Sequence, residues 1–511
     1  MASEPNILLI TSDQQHFDTL GVDNPRIRTP ALDRLAAEGM LFERSYCPNP
    51  VCSPSRASII TGMYPAWHHC WTIGVKLPED VPTVSGTFAR EGYATALVGK
   101  AHFQPVRSKP GSESIESLPN LRDMDFWRGF HGPYYGFDNL ELARNHGDEA
   151  LAGAHHGIWM EEKGLENWRD YFRPWPPAEK RLAQKDRPYV ENGRTWKLPE
   201  EYHYTTWTGE RTVANIEKAV ADDRPFFIWS SYHDPHPPYI VPEPWASMYD
   251  PDDMEPGRLT PGEFDRMAPH FVKTQEKNPD FSMYRETHGP HGFHSHLISE
   301  DELRANMAVY YGMVSFMDRE IGRTLDCLDR LGIAENTIVL FTTDHGHFLG
   351  QHGLVAKGCF HYEDMVKTPM VLRWPGRTPR GARSGALQSH VDFAPTWLAA
   401  AGIQVPGEMQ GVGQLGVWTG EAESARDHVI VENRHEPTLV HARTYVDRRY
   451  KITVYRNHDY GEVFDLEEDP GETDNLWESP EHAALKSELL RRFANAELLR
   501  EPTRMPRIAG A

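Results

Sequence analysis

Cysteine is scarce in this sequence, with five residues in a chain of 511. An odd number of widely separated cysteines excludes a disulfide framework, and the lack of any C-x-x-C pair argues against a zinc knuckle or a dithiol redox centre. A single cysteine can still have special chemistry where its neighbours supply it. The five are Cys47, Cys52, Cys70, Cys327 and Cys359.

Long apolar runs are also missing. No stretch approaches the roughly 18 apolar residues that a membrane-spanning helix needs. The N-terminal segment Met1–Ile10 has neither a basic start nor a long apolar core, so we do not expect a signal peptide. It predicts instead a short buried strand that begins almost at the first residue. From these features we expect a cytoplasmic protein.

Basic residues are outnumbered, because 53 Lys and Arg face 74 Asp and Glu and leave a formal net charge of −21. A surface this acidic repels phosphate backbones and anionic lipids, so we expect neither nucleic acid nor a membrane as a partner. An anionic substrate would need a local basic pocket. Extended disorder is excluded as the main state, because a chain with 11% aromatic residues can build a large core.

Apolar runs alternate with helical patterns along most of the chain, and no internal repeat is found. This alternation predicts an α/β fold with a mixed or parallel sheet covered by helices. Thr29-Pro30 predicts a helix start and Gly39 its end. Each predicted strand leads directly into polar residues, and functional sites of open α/β sheets lie beyond the carboxyl ends of strands. These strands are Asn6–Thr11, Ala94–Val98, Phe226–Tyr232 and Thr337–Thr342.

The pattern changes near residue 425. We expect a catalytic domain over residues 1–424 and a small C-terminal α+β subdomain with antiparallel strands over residues 425–511. Residues of about 105–200 and 245–300 are predicted to be insertions that shape a substrate pocket. Four histidines between positions 288 and 296 favour pocket lining over a metal site. The elements predicted in the subdomain are strands at Ala442–Val446, Tyr450–Tyr455 and Glu462–Asp465 and a helix at Glu481–Leu498.

Two strand ends carry residues with metal-binding chemistry. Asp13 and Gln14 follow the first strand, and Asp344 and His345 follow a later one. Taken singly, such residues are typical of turns and caps. Together, two carboxylates, an amide oxygen and an imidazole make a shell for a divalent metal. Oxygen ligands favour Ca²⁺ or Mg²⁺, and the imidazole leaves Mn²⁺ or Zn²⁺ open.

A third region of interest is Cys52-Ser53-Pro54-Ser55-Arg56, at a predicted helix start. It resembles the C-x-P-x-R motif of the type I sulfatases, a family of the alkaline phosphatase superfamily. In that family the cysteine is oxidised to Cα-formylglycine by a formylglycine-generating enzyme that reads the motif. The resemblance therefore implies that enzyme as a partner, and the hydrated gem-diol of formylglycine at position 52 as the nucleophile.

Further motifs follow in the family's order. Gly99-Lys100-Ala101-His102 is similar to its G-K-x-H element, and Pro235-His236-Pro237-Pro238 to its P-H-x-P segment, which favours His236 over His233. Lys357 stands twelve residues after His345, where it resembles the family's sulfate-binding lysine. The resemblance covers nearly the whole chain. It implies an alkaline phosphatase-like fold with a large mixed, mostly parallel sheet.

The resemblance also implies a mechanism. One metal ion would lower the pKa of a gem-diol oxygen, and Asp344 would accept its proton. Attack on sulfur would then form a covalent sulfate hemiacetal and release the alcohol. The metal ligands implied are Asp13, Gln14, Cys52 as formylglycine, Asp344 and His345.

Five further residues receive roles in the same way. Lys357 and His236 would bind the sulfate oxygens and help to protonate the leaving oxygen. His102 would take a proton from the second hydroxyl, so that sulfate is eliminated and the aldehyde is restored. Arg56 and Lys100 would hold the diol and offset the negative charge that collects at the site.

Two pairs depart from the commonest sulfatase pattern. Asp13-Gln14 replaces an Asp-Asp pair, and Asp344-His345 replaces an Asp-Asn pair. Similar pairs occur in branches that include choline sulfatases and phosphonate monoester hydrolases. Phosphonate hydrolases carry smaller or uncharged hydroxyl residues in the G-K-x-H element, whereas Lys100 and His102 are both present here. We therefore predict a sulfatase that cleaves an aryl or small alkyl or sugar sulfate, with Ca²⁺ favoured and Mn²⁺ as the alternative.

Three other functions stay open. The runner-up is a phosphonate monoester or phosphodiester hydrolase with the same nucleophile. A non-catalytic protein that binds a sulfated ligand would keep Cys52 unmodified, and a plain zinc hydrolase would use Cys52 as a thiolate ligand. The insertions and the terminal arm at residues 501–511 could mediate a homo-oligomer.

Overall fold

The computed structural model describes residues 4–174, 194–284, 292–435 and 439–501. Seventeen strands are present in this part of the chain, and nine of them form one large sheet. The strands are β1 Asn6–Ser12, β2 Met40–Tyr46, β3 Ala94–Gly99, β4 Asn139–Leu142, β5 Arg194–Thr195, β6 Phe226–Ser231, β7 Ile240–Val241, β8 Thr337–Thr343, β9 Phe348–Leu349, β10 Val355–Ala356, β11 Lys367–Arg373, β12 Ala382–Ser384, β13 Gln388–Ser389, β14 Val429–His435, β15 Val440–Val446, β16 Tyr450–Tyr455 and β17 Gly461–Asp465.

The large sheet is mixed and mostly parallel. Its order is β12-β2-β11-β8-β1-β6-β3-β4, and β13 also pairs with β2. β1 lies at the centre and pairs in parallel with β6 and β8, whereas β11 is antiparallel to both of its neighbours. All residues of β1, β6 and β8 are buried, which explains why their sequences are continuous apolar runs rather than alternating ones. The predicted fold class is confirmed.

Helices cover both faces of this sheet. α1 begins at Pro30 and has Gly39 as its C-cap, as predicted. Asp318 in the long helix Glu300–Arg330 accepts hydrogen bonds from the backbone nitrogens of Ala31 at 3.0 Å and Leu32 at 2.8 Å, so a distant side chain satisfies free N–H groups of α1. The helices are α1 Pro30–Glu38, α2 Cys52–Thr61, α3 Pro65–His68, α4 Val84–Arg90, α5 Met124–Gly129, α6 Ala154–Glu162, α7 Tyr204–Ala221, α8 Pro269–Thr274, α9 Glu300–Arg330, α10 Glu363–Val366, α11 Phe393–Ala400, α12 Leu415–Trp418 and α13 Ala483–Leu499.

A second sheet of four antiparallel strands follows, in the order β14-β15-β16-β17. The predicted hairpin and third strand are present as β15, β16 and β17, and the predicted C-terminal helix is α13. β14 is an additional strand that the sequence analysis missed. One face of this sheet packs on α13 through Ile430, Ile452 and Phe493, and the other face packs on the residues around Cys47.

The two segments predicted as insertions contain more regular structure than expected. β4 lies between residues 105 and 200 and adds an edge strand to the large sheet beside β3. Residues 175–193 and 285–291 lie outside the described part of the chain, and with them His288 and His291 of the histidine-rich stretch. The other two, His294 and His296, stack on each other with ring centroids 4.4 Å apart.

No helix within the described ranges combines the length and apolar character that crossing a membrane requires.

Candidate active site

The carboxyl ends of four neighbouring parallel strands meet at one edge of the large sheet. β1 leads into Asp13, β3 into Lys100, and β8 into Asp344. β6 leads into the segment that holds His236, which is joined to β1 by a hydrogen bond of 3.1 Å from the backbone nitrogen of Asp13 to the oxygen of Asp234. The topology therefore brings together polar residues that are far apart in the sequence.

Cys52 is the first residue of α2, and it is fully buried at this edge. Its Sγ lies 3.1 Å from Nε2 of His345 and 3.6 Å from Oδ1 of Asp13. Nζ of Lys357 donates a hydrogen bond to the same sulfur at 3.2 Å. Burial and the charge of Asp13 oppose ionisation of the thiol, but Lys100 and Lys357 outweigh them and lower its pKa to about 7.

The carboxylate of Asp344 accepts three hydrogen bonds from its neighbours. Oδ2 accepts a hydrogen bond of 2.9 Å from Nε of Arg56, and this ion pair has no exposed surface. Oδ1 accepts from the backbone nitrogens of Gln14 at 2.9 Å and His345 at 3.0 Å. Arg56 also donates to Oγ of Ser231 at 2.7 Å. Arg56 therefore ties α2 to the ends of β6 and β8.

Asp13 and Lys100 form a second ion pair without exposed surface. Nε2 of His146 lies 3.0 Å from Nζ of Lys100 and 3.3 Å from Oδ2 of Asp13. Burial opposes ionisation of Asp13, but the charge of Lys100 and the hydrogen bond with His146 hold the pKa of this carboxyl well below its usual range.

His146 is a residue of this site that the sequence analysis missed. Its Nδ1 lies 3.1 Å from a carboxylate oxygen of Glu149, and its ring stacks on that of His236 with centroids 3.8 Å apart. His146 stands four residues after the end of β4, so it too lies beyond the carboxyl end of a strand of the large sheet. The strand Asn139–Leu142 is too short and too polar for its apolar pattern to reveal it.

His236 and Lys357 are in direct contact at the open side of Cys52. Nε2 of His236 lies 3.1 Å from Nζ of Lys357, and its Nδ1 lies 2.5 Å from the backbone oxygen of Pro237. Burial, and then the nearby His146 and Lys357, hold the pKa of His236 well below its usual range. The imidazole is therefore neutral, donates through Nδ1 and accepts from the lysine through Nε2.

His102 lies close to this cluster without a hydrogen bond to it within the described residues. Its backbone nitrogen donates to Glu116 at 3.0 Å. Burial, and then the positive charges of Arg144 and Lys100, hold the pKa of His102 well below its usual range, so this imidazole is neutral. His233 is also buried, and neither of its ring nitrogens has a hydrogen-bond partner in the described ranges.

Gln14 is oriented by a chain of hydrogen bonds. Its Nε2 lies 2.8 Å from Nδ1 of His347, whose Nε2 lies 2.7 Å from the hydroxyl of Tyr239. The ring of Tyr310 stacks on His347 with centroids 4.8 Å apart. With the amide nitrogen bound in this way, Oε1 of Gln14 is buried and has no partner among the described residues. A buried oxygen of this kind is what a cation would satisfy.

Among the residues that the structure describes, two groups of side chains have ligand atoms within 4.8 Å of one another. The two groups share Asp13, and the ammonium groups of Lys100 and Lys357 contact members of both. The first group, extended by the unpaired oxygen of Gln14, offers two carboxylates and an amide oxygen and is therefore the better fit for a divalent metal. The first group consists of Asp13, Cys52, Asp344 and His345, and the second consists of Asp13, His146 and His236.

Protein in which Cys52 remains a thiol offers a test of these electrostatics. We expect the rate of its reaction with iodoacetamide in metal-free protein to rise with pH around a midpoint of about 7, because the thiolate is the reactive form. Lys357→Met should move the midpoint upward, since it removes a stabilising cation. A wild-type midpoint near the ordinary value of 9.0 would contradict the geometry. Cys47, whose pKa burial raises, is the control thiol.

Comparisons with known proteins agree with the resemblance seen in the sequence. The family profile described as Sulfatase matches residues 5–403. A second profile, described as N-sulphoglucosamine sulphohydrolase, C-terminal, matches residues 350–498. These matches together extend over most of the chain.

Individual relatives are similar over most of their length. The chain is 29% identical over 495 residues to an arylsulfatase of Clostridium perfringens, with 94% of this chain and 91% of that protein covered. It is 25% identical over 491 residues to a choline-sulfatase of Rhizobium meliloti, with 93% and 83% covered. The solved phosphonate monoester hydrolase from Silicibacter pomeroyi has a TM-score of 0.76 at 24% identity, with 98% of this chain and 96% of that chain covered. This last likeness concerns the fold alone.

Proposed function

Since the chain belongs to the sulfatase family, we propose that it hydrolyses a sulfate ester with formylglycine, made from Cys52, as its nucleophile. Family membership confirms the prediction of a sulfuric ester hydrolase. The finer parts of the proposal are an aryl or small alkyl or sugar sulfate as substrate, one divalent metal ion, and a formylglycine-generating enzyme as partner. Ca²⁺ is favoured as the metal, and Mn²⁺ is the alternative.

The observation that carries this proposal is the surroundings of Cys52. A cysteine buried in an apolar core has a raised thiol pKa and is unreactive. Cys47 is an example, since burial raises its pKa. Cys52 instead has a cation, Lys357, a carboxylate, Asp13, and an imidazole, His345, within 3.6 Å of its sulfur. These are the groups that an oxygen nucleophile on this residue would need.

The residues proposed to hold the metal are Asp13, Gln14, Asp344 and His345, together with the modified residue 52. When bound, a divalent metal supplies a lowered pKa for a nucleophilic oxygen and a counter-charge for the sulfate. The unpaired Oε1 of Gln14 supports this assignment. Oδ2 of Asp344 accepts a hydrogen bond from Arg56, and we propose that the remaining acceptor capacity of the carboxylate serves the metal or accepts a proton.

The cations around the site are suited to a sulfate group. Lys100 and Lys357 place two ammonium groups beside Cys52, in a chain whose net charge is −21. His236 accepts a hydrogen bond from Lys357, so the pair can pass a proton to the leaving oxygen through the ammonium group. His146 contacts Lys100 and stacks on His236, and we propose that it orients both.

His102 is proposed as the base that completes the cycle. Its neutral imidazole has a free ring nitrogen, Nδ1, among the described contacts. Glu116 holds the backbone of this segment by accepting hydrogen bonds from the nitrogens of His102, Phe103 and Gln104 at 2.9 to 3.0 Å. The imidazole is thus fixed from its backbone side while the ring stays available.

A phosphonate monoester or phosphodiester hydrolase is the second candidate, because the fold is similar to a solved phosphonate monoester hydrolase. Lys100 and His102 favour the sulfatase. The two are separated by the ratio of kcat/KM for 4-nitrophenyl sulfate to that for 4-nitrophenyl phenylphosphonate. We expect the ratio to exceed 1 for this protein, and a ratio below 1 would reverse the order of the candidates.

The nucleophile is tested by mass spectrometry of the tryptic peptide Ser45–Arg56. We expect Cys47 to be alkylated while position 52 carries an aldehyde that is captured by a hydrazide. Protein from the native organism is the sample, because a foreign host can lack the modifying enzyme. A thiol at position 52 in that sample would overturn the formylglycine mechanism and favour the thiolate–zinc or ligand-binding alternative.

Replacement of His347 tests the proposed orientation of Gln14. His347→Leu removes the acceptor for Nε2 of Gln14, so the amide can rotate and its oxygen is no longer held. We expect metal affinity to fall about 10- to 100-fold, as for other groups that orient a ligand. Isothermal titration with Ca²⁺ measures it. Tyr239→Phe, one step further out, should cost less, and equal affinities for all three proteins would refute the role.

The remaining expectations are kept as proposals. We propose a catalytic domain over residues 1–424 with a C-terminal subdomain over residues 425–511, and a cytoplasmic location. Assembly into a homo-oligomer is proposed through the insertions or the terminal arm.

A further inference from the structure

His102, the proposed base of the second reaction step, has a backbone conformation that most residues avoid. Its φ of 61° lies in the left-handed region, which glycine adopts freely and which costs free energy for a residue with a Cβ atom. Such a conformation persists only where the surrounding structure holds it. The neighbours of His102 must therefore stabilise this backbone.

The carboxylate of Glu116 is the group that holds it. Three successive backbone nitrogens, those of His102, Phe103 and Gln104, donate hydrogen bonds of 2.9 to 3.0 Å to its two oxygens. Successive N–H groups that converge in this way form a concavity that suits an anion, as in phosphate-binding loops. Glu116 fills the concavity from within the chain, and its side chain has no exposed surface.

A cation and a hydroxyl group complete the surroundings of this carboxylate. Nε of Arg144 lies 3.1 Å from Oε2, the oxygen that also accepts from the nitrogen of His102. The hydroxyl of Tyr134 donates to Oε1 at 2.7 Å. The ion pair with Glu116 is the single ion pair of Arg144 within the described ranges. A buried carboxylate needs such partners, because an unpaired buried charge is costly.

These supporting side chains come from the first predicted insertion, and the insertion is joined to the site on both sides of Arg144. The nitrogen of Ala143 donates to the oxygen of Gly99, at the end of β3, at 3.1 Å. Two residues after Arg144, Nε2 of His146 lies 3.0 Å from Nζ of Lys100. The insertion therefore runs beside the segment that carries the proposed base.

We propose that Glu116 is a positioning residue, an internal anion that holds the left-handed backbone of His102 and thereby directs its imidazole for the second step. This inference rests on the proposed function, in which His102 is the base. In that step the imidazole takes the proton of the second hydroxyl, whose oxygen forms the carbonyl double bond. The carbon–oxygen bond to the sulfate breaks, and its electron pair leaves with the sulfate.

Steady-state kinetics separate this role from a general structural one. Glu116→Gln keeps the size of the side chain, but it removes the charge and replaces one acceptor oxygen by an amide nitrogen that cannot accept. Only the second step should slow, so kcat for 4-nitrophenyl sulfate should fall about 10- to 100-fold. KM should fall with it and kcat/KM should stay within about twofold, since kcat/KM reports the steps up to the release of nitrophenol.

Asp318→Asn is the matched control, because Asp318 is also a buried carboxylate that accepts from successive backbone nitrogens, those of Ala31 and Leu32. It takes no part in the proposed site, so this variant should lower the thermal transition and leave kcat and kcat/KM within about twofold of wild type. In a His102→Ala background, Glu116→Gln should change kcat by less than about twofold, since the group that it positions is then absent.

The backbone conformation is tested without turnover. His102→Gly should unfold at a higher urea concentration than His102→Ala, because glycine adopts a φ of 61° without the steric cost that a Cβ atom brings. Equal or reversed midpoints would mean that position 102 is not held in the left-handed region.

Three kinetic results would also overturn the proposal: an unchanged kcat in Glu116→Gln, a fall in kcat/KM as large as that in kcat, and additive losses in the His102→Ala background. If Glu116→Gln does not fold, as judged by its thermal transition, Tyr134→Phe replaces it and should lower kcat about threefold with kcat/KM unchanged. Failure of the proposed function would show itself elsewhere, as a thiol at position 52 and no turnover of 4-nitrophenyl sulfate by the native protein.

Discussion

Cys52→Ala is expected to lower kcat/KM for 4-nitrophenyl sulfate at least about 10⁴-fold, because losses of this size follow the removal of a nucleophile. The fold should survive. Cys52 makes its contacts with polar side chains, and the first turn of α2 is also anchored by Ser55, whose Oγ donates to the backbone oxygen of Asp344 at 2.6 Å. Initial rates at saturating metal measure the effect, and the thermal transition reports on folding.

Two further variants separate a lost nucleophile from a damaged site. Cys47→Ala removes a buried thiol five positions away in the sequence and should keep kcat/KM within about twofold of wild type, since Cys47 contacts only backbone and apolar groups in the described chain. Cys52→Ser keeps one hydroxyl but has no second one, so it should release about one equivalent of nitrophenol and then stop. Steady turnover by Cys52→Ala would contradict the assignment of the nucleophile.

Local patterns were sufficient to predict most of the fold. The central strands are buried on both faces, so their sequences are continuous apolar runs, and β1, β3, β6 and β8 were located to within one residue at each end. α1 was recognisable from its own ends, Thr29-Pro30 and Gly39. β4 and β14 were missed for a physical reason. Both are stabilised by pairing with a neighbouring strand, and neither has an apolar pattern strong enough to stand out.

The site residues also fall into those that the sequence could identify and those that it could not. Residues at the ends of recognisable strands, such as Asp13, Lys100 and Asp344, could be named from the sequence, and their roles remain predictions. His146 could not be found, because its importance lies in contacts with Asp13, Lys100 and His236, which are tens of positions or more away. His347 was two positions from a predicted ligand, yet only the hydrogen bond to Gln14 gives it a role.

Asp13→Asn is expected to reduce kcat/KM at least about 10³-fold and to weaken metal binding, because it removes a charged oxygen from the proposed metal shell. It should also destabilise the metal-free protein by about 3–5 kcal/mol, since the Lys100 ammonium would remain buried without its partner. Urea unfolding measures the free energy, and calcium titration measures the affinity. Unchanged stability would mean that the two side chains do not form the ion pair.

The double variant Asp13→Asn, Lys100→Met distinguishes the structural from the chemical contribution of this pair. Removing both charges leaves neither buried alone, so we expect more than half of the lost stability to return. Activity should not return, because both the proposed metal ligand and the cation proposed to hold the diol are then absent. His146 contacts both residues, so its replacement should add little to the double variant. Recovery of activity together with stability would assign Asp13 and Lys100 to folding alone and remove them from the catalytic machinery.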